Sequence, residues 1–448
     1  MEKWINWLGR DQLQSELSPD LRDEMPSGLE SRPAFVKEGS RYRCGRCGSI
    51  CCLRQAYPCI CKQHCYYCRE CIQLGKVRAC DRLISLPETG GFKPLEQPVL
   101  KWKGILSPQQ EEASKDILQT VRQGGTRIVW AVTGAGKTEM LFEAVAEGLA
   151  EGKRVCIASP RIDVCLELSP RLQEAFDQVD MTTLYGGSGE VYRRTQLVIA
   201  TTHQLLRFKE AFDVMIVDEI DAFPYYLNEA LYYAAKKALV LGGSQIFLTA
   251  TPDRQMLKAI RSGRIDATIL PARYHKHPLP VPEARLLKGS LGHGLAGSCN
   301  ASAHLLRLLQ KKRRCLVFIP TILYMEILLP DFERQFKDWR FAWVHSKDPE
   351  RKEKIQQMRQ GELDFLLTTT ILERGVTFAD IDVIVVKADH AVYTEAALVQ
   401  IAGRAGRSSA YPEGEVTFYC EHWTRPIKRS IRQIEAMNRT ARKRGLLQ

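Results

Sequence analysis

The residues best suited to chemistry form an octet, Ala131-Val-Thr-Gly-Ala-Gly-Lys137-Thr138. Glycines ahead of a Lys-Thr pair let backbone N–H groups close on phosphate oxygens. The lysine then reaches the β and γ phosphates, and the threonine hydroxyl is offered to Mg²⁺. Thr133, Gly134, Ala135, Gly136, Lys137 and Thr138 are therefore the candidate cradle for a nucleotide such as ATP, with Ala131 where the general pattern has its first glycine. Such a cradle needs a strand before it and a helix after it, because the helix N-terminus faces the anion. The apolar run Arg127 to Val132 and the Ala/Leu/Glu-rich stretch to about Ala150 supply both. Further on, Val214-Met-Ile-Val-Asp218-Glu219 reads as a buried strand ending in two acids. At the carboxyl edge of a parallel sheet, Asp218 suits a Mg²⁺ ion, directly or through water. Glu219 suits a base that orients and deprotonates an attacking water.

These residues require an α/β scaffold. Strands are expected at Arg127 to Val132, Arg154 to Ser159, Leu197 to Thr202, Val214 to Glu219 and Gln245 to Thr251, with helical patterns between most of them. A second strand-helix series begins at Cys315-Leu-Val-Phe-Ile-Pro320 and runs through Phe365 to Thr370 and Val383 to Val386. It has no phosphate cradle. It does carry Gln400-Ile-Ala-Gly-Arg404-Ala-Gly-Arg407, expected at a helix start with both arginines on one face. Two guanidinium groups on a second lobe suit an arginine finger, stabilising the transferring γ-phosphoryl group when the lobes close.

Ten of the fifteen cysteines lie between Cys44 and Cys80. Without an export signal, CxxC spacing points to zinc rather than disulfides, since the cytosol keeps thiols reduced. Cys44 and Cys47 form a knuckle with Gly48 easing the turn. The second pair is Cys68 and Cys71 by preference, with twenty residues between Cys47 and Cys68, and Cys65 and Cys68, or Cys59, Cys61 and His64, as alternatives. A further zinc could draw on Cys51, Cys52, Cys59, Cys61, His64 or Cys65. A site closed by four sulfurs is structural and performs no chemistry.

The 448 residues exceed one compact core. Hydrophobic residues at 45% and charged residues at 26% exclude a largely disordered or fibrous chain. The net charge of +12 favours a polyanionic or anionic-surface partner, nucleic acid or membrane, and it is unevenly placed. Residues 41–103 hold 12 Lys and Arg against 4 Asp and Glu, and residues 421–448 hold 8 against 2. The expected layout is a segment of unassigned role at 1–40, a zinc module at 41–103, a first lobe at 104–270, a Pro-rich linker at 271–288, a second lobe at 289–420 and a basic tail at 421–448. Met1 to Asp20 mixes charges throughout, so a signal peptide is not expected. The longest apolar run, Cys315 to Leu329, is interrupted by Pro320 and Glu326 and falls short of the ~20 residues that span a bilayer.

Taken in order, these segments resemble the motor core of superfamily 2 helicases. That resemblance implies two RecA-like lobes, parallel sheets flanked by helices, clamping ATP between them. Leu106-Ser-Pro-Gln-Gln110 stands ahead of the cradle, where Gln110 would read adenine, and Ser159-Pro-Arg161 resembles a strand-contacting motif. Asp218-Glu-Ile-Asp221 replaces the more familiar DEAD or DExH, and Thr249-Ala-Thr251 is similar to the motif coupling hydrolysis to lobe movement. Thr368-Thr-Thr370 and Glu373-Arg-Gly375-Val-Thr377 resemble the fifth motif, with Gly375 and Thr377 on the nucleotide side and Thr377 where many relatives carry an acid.

The cysteine module ahead of the motor, with Tyr67-Cys-Arg-Glu-Cys71, Glu373-Arg-Gly-Val-Thr-Phe378 and the Gln400 to Arg407 octet, narrows the resemblance to the ComFA family of late competence proteins. It implies a cytosolic ATPase stimulated by single-stranded DNA. Such a motor, at the inner face of the membrane, helps draw transforming DNA through the channel ComEC, with ComFC and DprA as partners. A homo-oligomer is compatible with the sequence. The other reading is a strand-separating DNA or RNA helicase of PriA-like or DEAD-like type. In PriA the zinc-binding cysteines interrupt the second lobe, whereas here they precede the first.

Overall fold

The computed structural model describes residues 2–448 apart from 19–20, 22–24, 52–56, 60, 63, 190, 290–298 and 409–410. By contacts the chain divides into two compact units. One comprises Met1–Val129, Lys137–Thr249 and Asp253–Thr268, the other Trp130–Gly136, Ala250–Pro252 and Ile269–Gln448.

The N-terminal region is built from short antiparallel strands: β1 (Asp11–Leu13), β2 (Glu30–Pro33), β3 (Phe35–Glu38), β4 (Arg41–Cys44), β5 (Ile50–Cys51), β6 (Tyr57–Pro58), β7 (His64–Cys65) and β8 (Arg82–Ser85). β8 is the centre of a sheet flanked by β1 and β2, so residues before and after the cysteines share one ladder. β3, β4 and β5 form a second sheet and β6 pairs with β7. Strands this short hold little apolar surface, and a module of this kind needs staples. Two are present: the cysteines, and docking on the first large sheet and its helices in the same unit. Leu13, Phe35, Cys44, Cys47 and Leu83 belong to one core with Leu205, Phe208, Phe212 and Leu231.

The first large sheet follows. Its elements are α1 (Pro108–Gln123), β9 (Gly125–Ala131), α2 (Phe142–Ala150), β10 (Val155–Ser159), α3 (Ile162–Ala175), β11 (Met181–Leu184), β12 (Leu197–Thr201), β13 (Phe212–Val217), α4 (Glu229–Ala238), β14 (Leu239–Thr249), α5 (Arg254–Arg261) and β15 (Asp266–Leu270). The strand order is β11-β12-β10-β13-β14-β9-β15, and the ladders from β11 to β14 are parallel. β10 and β12 are buried along their whole length, because strands covered by helices on both faces keep no polar side. All five strands expected in this lobe are present, displaced by at most a few residues except β14, which begins six residues early.

The second large sheet has the order β16-β21-β20-β17-β19-β18, parallel throughout. Its elements are β16 (Glu283–Leu286), α6 (Asn300–Gln310), β17 (Arg314–Phe318), α7 (Ile322–Gln335), β18 (Phe341–Val344), α8 (Arg351–Gln360), β19 (Phe365–Thr368), β20 (Ile381–Val385), α9 (Glu395–Ala402), β21 (Val416–Cys420) and α10 (Arg425–Lys443). Two parallel sheets flanked by helices are the RecA-like pair that the sequence leads one to expect.

Three local features differ from expectation. The Pro-rich stretch does not stay outside the sheets, since Glu283–Leu286 is an edge strand paired with β21. The basic C-terminal stretch is not a loose tail: α10 buries Ile427, Ile434, Met437 and Ala441 at helical spacing beneath its arginines. The octet Gln400 to Arg407 does not open a helix. It closes α9, with Gly403 as the C-cap, and Arg404 and Arg407 follow the helix end, where Gly406 turns the chain at φ +61°.

Candidate nucleotide site and metal centre

Ser107 and Gln110 close a capping box at the start of α1, with Pro108 in the first turn. The Gln110 carboxamide oxygen accepts from the Ser107 N–H at 2.9 Å and from its hydroxyl at 2.8 Å. The residue that would read adenine is thereby held at a rigid helix end. β9 then delivers the chain to the cradle. Gly134 and Gly136 adopt φ +80° and +71°, conformations a Cβ would strain, and Thr138 is already helical as the chain enters the turn before α2. The Gly134 carbonyl accepts from the Tyr274 N–H at 3.1 Å, steadying the turn.

Within the first unit, Lys137 Nζ lies 3.8 Å from Asp218 Oδ1. Asp218 follows directly on β13, a strand whose last four residues are fully buried, and burial raises its pKa while Lys137 pulls it back down. Glu219 follows with φ +54°, a left-handed backbone that costs ~1–2 kcal/mol for a residue with a Cβ. The turn is held by the Glu219 N–H donating to Asp218 Oδ1 at 2.8 Å and the Ala222 N–H donating to the Glu219 carbonyl at 2.8 Å. Strained backbone that the surroundings over-determine is a mark of functional sites. Two residues on, the buried Asp221 accepts a 3.0 Å hydrogen bond from the Thr249 hydroxyl, tying the acidic strand end to the Thr249 to Thr251 segment. A lysine, an ionisable carboxylate and a hydroxyl at a phosphate cradle are the donor set a Mg–nucleotide complex requires.

Within the second unit, Arg404 is buried and donates from Nε to the Glu373 carbonyl at 3.0 Å and from Nη1 to the Val376 carbonyl. Arg407 donates to the Gly403 carbonyl at 2.9 Å and to the Thr377 hydroxyl at 3.2 Å. Both arginines are thus seated on the Glu373 to Thr377 loop, where Gly375 takes φ +72°. Sequence reasoning missed the residue that organises this turn. Arg273 is buried and donates to the carbonyls of Gly403, Ala405 and Gly406. Burial, with Arg407 nearby, lowers its pKa to about 9, which still leaves it charged at neutral pH. A lone arginine in a Pro-rich stretch carries no spacing signal. A Cβ added at Gly403 would meet Thr133 Oγ1 at 2.0 Å, so only glycine fits there.

The cysteines assemble as the preferred quartet. Cys44, Cys47, Cys68 and Cys71 are buried, and their sulfurs all lie within 4.8 Å of one another. Cys44 and Cys71 are 3.8 Å apart and Cys47 and Cys68 3.6 Å. Four sulfurs at ~2.3 Å from a tetrahedral Zn²⁺ stand about 3.8 Å apart, so the thiols fit that ion. Gly48, at φ +73°, packs so closely on Tyr233 of α4 that a Cβ would meet the ring at 2.6 Å. Cys59, Cys61 and Cys65 do not join this quartet but converge with Cys80, a residue the sequence reading left out. Cys52, and the side chains of Cys51 and His64, lie outside the described residues.

One further cluster ties the module to the motor. Lys237 of α4 is buried and donates to Asp11 at 2.6 Å, to the Arg46 carbonyl at 3.1 Å and to the Leu206 carbonyl at 2.9 Å. Asp11 also takes both oxygens to Arg32, at 2.7 and 2.8 Å.

Comparison with known proteins decides the family. Residues 6–85 match the Competence protein ComFA N-terminal domain, 107–260 the DEAD/DEAH box helicase family and 300–409 the Helicase conserved C-terminal domain. The chain is 41% identical to Competence protein ComFA of Streptococcus pneumoniae (strain ATCC BAA-255 / R6), over 98% of this chain and 99% of that one. It is 38% identical to Competence protein ComFA of Bacillus subtilis (strain 168), over 97% and 94%. The chain belongs to the ComFA family. Among solved structures, Mss116p (NTE and C-tail double deletion) bound to ssRNA and AMP-PNP is similar in fold, with TM-score 0.55 at 17% identity over 70% of each chain. This ComFA-family member is a competence-related, helicase-like ATPase of superfamily 2, with the family's cysteine module at its N-terminus.

Proposed function

We propose that this ComFA-family protein is an ATP-driven translocase that moves along single-stranded DNA and helps draw transforming DNA across the cytoplasmic membrane. The observation that carries the ATPase half is the Lys137–Asp218 pair at the end of a buried parallel strand beside a glycine-shaped cradle. The near full-length ComFA relatives support the uptake half.

In this reading the backbone of Thr133 to Gly136 and the Lys137 ammonium hold the phosphates, and Gln110 selects adenine. Thr138 and Asp218 would hold Mg²⁺, which neutralises charge on the phosphate oxygens. Glu219 orients a water and takes its proton. Arg404 exchanges its loop carbonyls, and Arg407 the Gly403 carbonyl and Thr377 hydroxyl, for the γ-phosphate as the lobes close, and both release it on opening. Because the arginines start on the Glu373 to Thr377 loop, each exchange reorders that loop, where Gly375 and Thr377 meet the nucleotide. Alternating grip on a phosphate backbone then yields directed motion.

Zinc at Cys44, Cys47, Cys68 and Cys71 holds the module, whose basic surface adds salt-sensitive, sequence-independent affinity. A location at the inner face of the membrane, and ComFC, DprA and ComEC as partners, follow from the family alone. Among the described residues no helix is long and apolar enough to cross a membrane.

The distinguishing experiment supplies ATP with two substrates, single-stranded DNA carrying streptavidin on one end and a partial duplex. A translocase strips streptavidin from one end and leaves the duplex intact. Release of the duplex strand would move the reading to a helicase.

A further inference from the structure

Outside the first quartet, four more thiols converge. Cys59, Cys61, Cys65 and Cys80 have sulfurs all within 4.8 Å of one another, and Cys59 and Cys80 are 3.7 Å apart. We propose that these four cysteines form a second, independent zinc site interleaved with the first.

The backbone is built to bring them together. β6 pairs antiparallel with β7, Tyr57 opposite Cys65 and Pro58 opposite His64, so Cys59, two residues past Tyr57, falls on the same face as Cys65 and diagonal to it. A turn closed by the Lys62 N–H donating to the Cys59 carbonyl at 2.9 Å, with Lys62 at φ +62°, folds Cys61 back onto the same point. Cys80 arrives along a different path. The chain after β7 pairs with residues 77–79, as the Cys68 N–H donates to the Val77 carbonyl at 2.9 Å and the Ala79 N–H to the Tyr66 carbonyl at 2.8 Å, with Tyr67 bridged to Arg78. This short ladder sends Cys68 to the first quartet and sets Cys65 and Cys80 beyond its other end.

Other accounts of these thiols fit less well. Burial as small hydrophobes does not explain them, because Cys80 is exposed and Cys59 and Cys61 are only half-buried. A disulfide would use two of the four and leave the other two converging without purpose, and the Cys59–Cys80 separation is far beyond the ~2.05 Å of a bonded pair. It matches the ~3.8 Å edge of a tetrahedral zinc–thiolate site. The first quartet is complete without them. In chain order the ligands alternate: Cys44 and Cys47, then Cys59, Cys61 and Cys65, then Cys68 and Cys71, then Cys80. Each ion closes a loop containing ligands of the other. Four thiols bind one Zn²⁺ as thiolates, releasing their protons.

The test counts zinc on the purified full chain by native mass spectrometry, in reducing buffer. Two ions per chain are expected, falling to one in the Cys59→Ser/Cys80→Ser double variant. One ion in both proteins would overturn the proposal. Maleimide labelling of the unaltered chain gives a readout that does not depend on a variant folding. The exposed Cys80 is expected to resist labelling until a chelator strips the metal, and immediate labelling of Cys80 would count against a second ion. Neither measurement involves ATP, so failure here and failure of the motor reading are distinguishable.

Discussion

At the level of single residues, the chemistry depends on a few charges held in unusual surroundings. Asp218 is kept beside Lys137 by the end of a buried strand, and Glu219 is turned out of that strand by a left-handed backbone. Replacing Glu219 with Gln removes the proposed base, so turnover should fall by ~10²–10⁴ with nucleotide affinity retained, measured by steady-state hydrolysis and fluorescent-nucleotide titration. Lys137→Ala should lose both. The pKa of Asp218 is raised chiefly by burial. Its ionised form is therefore lost as pH falls through a value higher than the ~3.9 of a solvated aspartate. The acid limb of kcat/KM for ATP should lie above that value, and a limb at or below it would contradict the role given to Asp218. The glycines, lysine and paired acids were legible because their spacing along the chain is itself the signal. Arg273 was not, since its meaning lies in three carbonyls some 130 residues away. Cys80 was not, because it stands apart from every CxxC pair.

At the level of elements, β10, β12, β13, β17, β19 and β20 could be read directly from apolar runs, because fully buried parallel strands leave no polar face to blur the pattern. The N-terminal region could not. β1, β2 and β8 are three or four residues long and pair across some fifty to seventy positions, so neither periodicity nor turn signals reveal the sheet. The α10 helix was hidden by its own charge, with four buried apolar residues set among arginines. The contact between Lys237 and Asp11 carries a prediction at this scale. Lys237→Met leaves Asp11 buried with Arg32 as its remaining side-chain partner, so the loss should be only part of the ~3–5 kcal/mol that an uncompensated buried charge costs. A lower melting temperature and faster protease cleavage between residues 1 and 103 are expected. Unchanged melting and cleavage would show that the cysteine module is not anchored there.

At the level of the whole molecule, the sequence separates a basic cysteine module, two parallel-sheet lobes and a basic C-terminal stretch, which the structure folds as α10. Because the first quartet shares a core with β13 and α4, zinc is expected to stabilise more than the module itself. Chelation should lower the melting temperature of the first unit as well as free the thiols, as read by calorimetry with and without added Zn²⁺. The surplus of cations in residues 41–103 and 421–448 predicts DNA affinity that falls steeply with salt and little with base sequence. The measurement that bears most directly on the motor is ATP hydrolysis by the full chain with no polymer, single-stranded DNA, duplex DNA or RNA, beside Lys137→Ala. Strong stimulation by single-stranded DNA, abolished in the variant, is the expected result, and absence of hydrolysis under every condition would contradict it.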